Sequence, residues 1–191
     1  MNLEKIKAGK SIKELLEFGI LNIDKPSGPT SFWVDKHIMN LFGLRKASHM
    51  GTLDPKVTGV LPVMLNRACR LSNWFMRKKK TYTGVMKIHK EISAEKLREE
   101  MQKFLGKIKQ IPPVKSRVKR QEREREVYSW NLVEYDKENK EGLFSCEVEA
   151  GTYVRKLISD LGLKFGGAHM LELRRVRAGI FSENDKNFIN L

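Results

Sequence analysis

Four short stretches of the chain carry side chains able to do chemistry on a ligand: Asp24-Lys25-Pro26, the run from His49 to Gly59, Lys80-Thr81-Tyr82, and Gly151-Thr152-Tyr153-Val154-Arg155. The second contains Asp54 within HMGTLDPKVTGVLP. Pro55 biases Asp54 toward extended geometry and removes the next backbone donor, while Gly51 and Gly59 permit sharp turns, so such a loop can present one carboxylate rigidly. A carboxylate held this way can serve as a nucleophile or as a base. Taken alone, an aspartate before proline is a turn residue, His49 is a polar loop residue, and Tyr82 in an alternating strand packs against its cross-strand neighbours. Asp24, Lys25 and Pro26 can brace a loop as readily as touch a ligand, and Tyr153 is equally ambiguous. His89 and His169 lack metal-ligand spacing. Cys69 and Cys146 are too few for a disulfide framework and read as reduced, partly buried thiols, which favours an intracellular compartment.

The elements that must position these groups can be read from periodicity. The run GILNI, from Gly19 to Ile23, reads as a buried strand leading into a turn with Pro26, Gly28 and Pro29. Thr30 or Ser31 then caps a helix with Val34, Ile38 and Leu41 as its apolar stripe and Gly43 at its end. SHMGTLDPKVTG reads as a loop, followed by the strand VLPVML. Lys80 to His89 alternates as a strand, and Ser93 caps a helix with Leu97, Met101 and Phe104 inward and Gly106 as its stop. Two prolines and a dense basic run make residues 111–126 an exposed arm. Val127–Tyr135 and Leu143–Ala150 read as a strand pair, with Phe144, Cys146 and Val148 on one face. A helix with Leu157, Leu161 and Phe165 follows, broken by Gly166 and Gly167, and His169–Val176 returns as a strand. There is no regular βαβ rhythm, so the fold class is mixed α+β, a mainly antiparallel sheet flanked by helices and loops.

Bulk properties narrow the partners. The 191 residues suit one well-cored body with at most a small added lobe; we divide them into an N-terminal extension, 1–18, and a main domain, 19–191. No stretch resembles a bilayer-spanning run, and the N-terminus lacks the apolar core and cleavage site of an export signal. A formal net charge of +14 draws in polyanions, nucleic acid first, although a merely solvated lysine-rich surface would carry the same charge. The positive residues cluster at Arg77–Lys80 and from Lys107 to Arg125, which predicts one strongly basic face.

The order and content of the four stretches resemble the TruB and dyskerin family of RNA pseudouridine synthases, over most of the chain from Gly19 to Phe181. HMGTLDPKVTGVLP is similar to that family's catalytic loop, KTY to the segment whose tyrosine packs on the target base, GTYVRKLISDLG to the one supplying an arginine partner for the aspartate, and LRRVRAGIF, from Leu173, to its closing strand. The resemblance implies a pseudouridine synthase fold with Asp54, Tyr82 and Arg155 as catalytic residues. It further implies a uridine everted from folded RNA, with Tyr82 stacking on it and His49 filling the gap left behind. Lys25, Tyr153 and Leu173 would adjoin the substrate; Arg77, Lys79, Lys80, Lys115, Arg117, Lys119 and Arg120 would contact phosphates. Arg174, Arg175 and Arg177 could contact RNA or simply solvate a strand. Isomerisation needs no metal or other cofactor.

Ser48 and Ile180 depart from the family's usual glycine and proline. The stretches NIDKPSGPTS and PPVKSRVKRQEREREVY are closer to the archaeal and eukaryal branch, in which a box H/ACA guide RNA and small accessory proteins position a tRNA or rRNA substrate. The chain ends at Leu191, where that branch usually continues into an RNA-binding PUA domain, so a catalytic domain alone is expected. Stand-alone action on the tRNA T-arm, and a catalytically silent RNA-binding or ribosome-assembly protein, are the alternative readings. The expected location is cytoplasmic, or nuclear and nucleolar in a eukaryote.

Overall fold

Apolar runs in the first part of the chain are long enough to be buried on both faces, and they set its strands. The computed structural model describes residues 9–112 and 119–191, which divide into two compact units: the chain up to Met76 together with Ile180–Leu191, and Arg77–Gly179.

In the first unit, strand β1 (Ile20–Lys25) runs antiparallel to β3 (Thr58–Leu65), with Ile20 opposite Met64 and Lys25 opposite Gly59. The short β2 (Ala47–His49) also pairs antiparallel with β3, where the sequence predicts only loop. After the two-residue β9 (Phe181–Ser182), the closing β10 (Phe188–Asn190) lies parallel to β1, which makes the sheet mixed. Buried Asn22 fastens this C-terminal segment by donating to the Ser182 carbonyl at 2.9 Å and the Asp185 carboxylate at 3.1 Å. Ahead of these strands, Ser11 and Glu14 form a capping box on α1 (Ile12–Glu17). Helix α2 (Ser31–Phe42) is capped by the Thr30 hydroxyl, which accepts from the Trp33 amide, and it ends on Gly43 at φ 61°. Only glycine adopts that left-handed conformation without a Cβ penalty. Val34 and Ile38 are buried as expected, but Leu41 is 65% exposed, because the predicted stripe drifts off the packed face in the last turn. A 3-10 turn (Asn66–Leu71) and α3 (Ser72–Met76) close a core cluster of Met50, Met64, Ala68, Cys69 and Phe75.

The second unit is an antiparallel sheet in the order β8-β4-β7-β6-β5. Its strands are β4 (Lys80–Ile88), β5 (Gly106–Gln110), β6 (Arg123–Asp136), β7 (Glu141–Val148) and β8 (Ala168–Ala178). Phe144, Cys146 and Val148 alternate inward as predicted, and Trp130 packs edge-on against Phe104 and Phe144. Helix α4 (Ala94–Gln102), capped by Ser93, buries Leu97 and Met101, whereas Phe104 lies past its end. Helix α5 (Val154–Gly162) buries Leu157, Ile158 and Leu161 and stops before Phe165. Gly106 does more than end a helix: at φ 81° it starts β5, which pairs with β6 and makes the flanks of the predicted arm a β-hairpin.

Candidate active site

The Asp54 loop is built by side chains that hold its backbone on both sides of the carboxylate. Ser31, first residue of α2, clasps Leu53 twice: its hydroxyl donates to the Leu53 carbonyl at 3.0 Å and accepts from the Leu53 amide at 2.8 Å. On the other side, the Lys25 ammonium donates to the carbonyls of Pro26, Pro55 and Val57 at 2.8, 2.9 and 2.9 Å. Three acceptors match the three ammonium hydrogens, so a fully buried cation is compensated. Gly28 donates to the Pro55 carbonyl and Val57 to that of Asp54. Leu53 and Val57 are packed into the interior, while Asp54 between them is exposed. His49 Nδ1 lies 2.7 Å from Asp35 Oδ2 and its Nε2 3.0 Å from Thr52 Oγ1.

In the second unit Tyr82 sits mid-sheet, opposite Cys146 on β7 and Arg175 on β8, at a register shift between Thr81 and Tyr82. Such an irregularity re-aims the side chain that follows it. Arg175 is only 1% exposed and its guanidinium donates to the Tyr82 hydroxyl; burial pulls its pKa down while Tyr82 holds it up. Lys80, 5% exposed, donates to the Lys78 carbonyl, and burial together with the neighbouring Arg175 charge lowers its pKa to about 8. The Cys146 thiol is pushed up to about 12 by burial, which makes it an inert packing group. Gly151, at φ 84°, turns the chain out of β7. The buried amide of Gln110 then grips Tyr153, accepting from its N–H at 3.0 Å and donating to its carbonyl at 3.3 Å. Tyr153 is the N-cap residue of α5, and Arg155 lies exposed in that helix's first turn.

Comparison with known proteins places this arrangement. Residues 39–94 match the TruB family pseudouridylate synthase N-terminal domain, and 155–191 match the tRNA pseudouridylate synthase B C-terminal domain. A "Probable tRNA pseudouridine synthase B" of Methanothermobacter thermautotrophicus is 46% identical over 177 residues, 92% of this chain and 54% of that protein. One of the same name from Thermococcus onnurineus is 49% identical over 171 residues, 89% of this chain and 51% of the relative. A crystal structure of a Cbf5-Nop10-Gar1 complex superposes with a TM-score of 0.90 at 44% identity, over 96% of this chain and 55% of that one. The chain belongs to the TruB family of pseudouridine synthases. A structure of an H/ACA ribonucleoprotein bound to a substrate RNA containing 2'-deoxyuridine is similar at TM-score 0.85 and 41% identity, covering 96% of this chain and 54% of that one. The mixed α+β fold is thus the pseudouridine synthase fold, and the chain spans about half the length of the curated relatives it matches.

Within this TruB-family frame, the residues expected to meet RNA lie at different depths. Lys25 is wholly buried with its ammonium on three backbone carbonyls, so it braces the loop and offers no charge to a phosphate. Lys80 is withdrawn into the sheet in the same way. Leu173 is buried opposite Gly84. His49 has both ring nitrogens engaged and a side chain only 18% exposed, so entering RNA would cost it both partners. Arg77, Lys79, Lys119 and Arg120 are exposed; Lys79 pairs with Glu147 and lies over the Tyr128 ring at 4.5 Å. Lys115 and Arg117 lie outside the described residues. The residue that sequence reasoning undervalued is Arg175. Its signal was there: two positions after Leu173 in a strand, it shares that residue's inward face.

Proposed function

We propose that this chain is the catalytic core of an RNA pseudouridine synthase that isomerises a uridine in folded RNA, with Asp54 as the reactive carboxylate. The observation that carries this reading is the construction of the 49–57 loop, in which Ser31 and Lys25 hold the backbone on either side of an exposed Asp54. Catalytic groups need to be held in place before the substrate arrives, because orientation secured in advance is not lost again at the transition state. The reaction breaks the bond from N1 to the ribose, turns the detached base, and joins C5 to the same sugar carbon; N1 gains the proton that C5 gives up. A carboxylate can begin this as nucleophile or as base.

Eversion of a stacked uridine costs a few kcal/mol, and stacking on an aromatic ring returns roughly 1–3 kcal/mol, the role we assign to Tyr82. Arg155 is the guanidinium that the family resemblance assigns to the aspartate. RNA is the proposed partner. Solved relatives described as Cbf5-Nop10-Gar1 and as an RNA-bound H/ACA ribonucleoprotein support a guide RNA and small accessory proteins as further partners. The curated relatives' names favour a second reading, direct modification of tRNA. The test is pseudouridine mapping on tRNA and rRNA fragments, with and without guide RNA and accessory proteins, for wild type and Asp54→Asn. The enzyme reading expects product from wild type and none from the variant, with RNA binding retained. RNA binding without product from either would make the chain a binding protein.

A further inference from the structure

The inward face of α2 carries one residue that apolar packing does not call for. Asp35 lies one turn beyond Ser31 on the face that buries Val34 and Ile38, and it is only 6% exposed. Its Oδ2 accepts from His49, while Oδ1 is buried with no hydrogen-bond partner among the described residues. Burying a carboxylate with half its acceptor capacity unused is costly, and an aliphatic side chain at this position would avoid the penalty. A native structure that keeps such a group invites a functional explanation.

The geometry supplies one. A carboxylate only accepts, so His49 Nδ1 carries the hydrogen and the imidazole is held by that bond. Its Nε2 then meets Thr52 Oγ1, which donates to a neutral ring and accepts from a protonated one, so the contact survives in either state. The chain of contacts Asp35–His49–Thr52 ends two residues before Asp54. Ser31 and Asp35, at i and i+4 on one helix, thus hold the same loop, Ser31 directly at Leu53 and Asp35 at His49 and, through its ring, Thr52. We propose that Asp35 is a positioning residue for the reaction: acting through His49 and Thr52, it sets the orientation of the Asp54 loop. The inference rests on Asp54 being the reactive carboxylate.

The experiment compares Asp35→Ala, Asp35→Asn, Thr52→Val and the double variant Asp35→Ala/Thr52→Val by amide hydrogen exchange of the free protein and by single-turnover pseudouridine formation at saturating RNA. Thr52 is exposed, so its variant folds even if Asp35→Ala does not. Because small misplacements of a reacting group cost much rate, each alanine or valine variant is expected to be slower by about tenfold or more, with RNA affinity within about twofold of wild type. The double variant should be no slower than the slower single one, since both break one chain of contacts. Asp35→Asn should recover most of the rate, because its amide oxygen accepts the same hydrogen. Exchange at Thr52 and Leu53 should quicken in Asp35→Ala and Thr52→Val. Unchanged exchange, rate losses that multiply in the double variant, or a loss confined to RNA affinity would each overturn the proposal. If wild type forms no product, the functional reading falls by itself, and the exchange data alone decide whether Asp35 braces the loop.

Discussion

At the scale of single residues, two cations of the second unit have opposite environments. Arg155 stands exposed at the start of α5, where its planar fork can meet a carboxylate in two parallel hydrogen bonds. Lysine offers only a point charge, so Arg155→Lys should cut turnover by about 1.4 kcal/mol or more, at least tenfold, with little change in RNA affinity. Single-turnover kinetics beside a binding isotherm checks this. Lys80 is buried instead, with its pKa lowered from 10.5 to about 8. The folded state therefore disfavours its charge: the penalty is fully present below pH 8 and fades as pH rises toward 10.5, where the unfolded chain still binds the proton. Relative to Lys80→Met, which has no such charge, wild type should gain stability across that window. Melting temperatures of the pair from pH 7.5 to 10 should converge or cross, and parallel curves would contradict the assignment.

At the scale of elements, close backbone approaches decide which sequences fit. A Cβ at Gly162, the last residue of α5, would lie 2.1 Å from the Ala168 backbone nitrogen, where β8 begins. No side-chain rotation relieves a clash with backbone. Gly162→Ala should therefore destabilise the second unit by about 1–3 kcal/mol, visible as a lower denaturant midpoint with the slope unchanged. The helix also carries Arg155, so the variant should lose activity in step with its stability. Helix and strand existence was largely legible in the sequence, because Ser93 and Thr30 cap, Gly43 stops, and Phe144, Cys146 and Val148 alternate. Less legible were β2 and β5, whose three and five residues carry too little periodicity to announce a strand. Pairing with a longer neighbour makes each of them a strand, and the pattern of β3 or β6 alone does not reveal that.

At the scale of the whole molecule, the net charge of +14 would make the proposed RNA binding chiefly electrostatic. Its logarithmic salt slope should steepen by about 0.7–0.9 for each phosphate neutralised. The structure adds a brake that charge counting overlooks: on the β5–β6 hairpin Lys107 pairs with Glu124 and Lys109 with Glu122. Exposed pairs of this kind contribute little to stability, so Glu122→Gln/Glu124→Gln should leave the melting temperature nearly unchanged. RNA affinity and its salt slope should both rise if this hairpin faces RNA. An unchanged slope would move the RNA path elsewhere.

By itself the sequence determined the chemistry on offer: a carboxylate before proline in a glycine-bounded loop, an aromatic strand residue, an arginine in the GTYVRKLISDLG stretch, and an excess of basic residues. These follow from residue type and local spacing, which need no partner to act. Only the tertiary structure decided which charges remain available. Lys25 and Lys80 look like surface cations in the sequence and Arg175 has only the alternation of its strand to hint otherwise, yet folding encloses all three because buried carbonyls and a tyrosine hydroxyl compensate the lost water. Asp35 became legible in the same way, through contacts made across fourteen positions with His49 and onward to Thr52. Compensation of a buried charge depends on what folding brings beside it, and that neighbourhood is a property of the assembled fold.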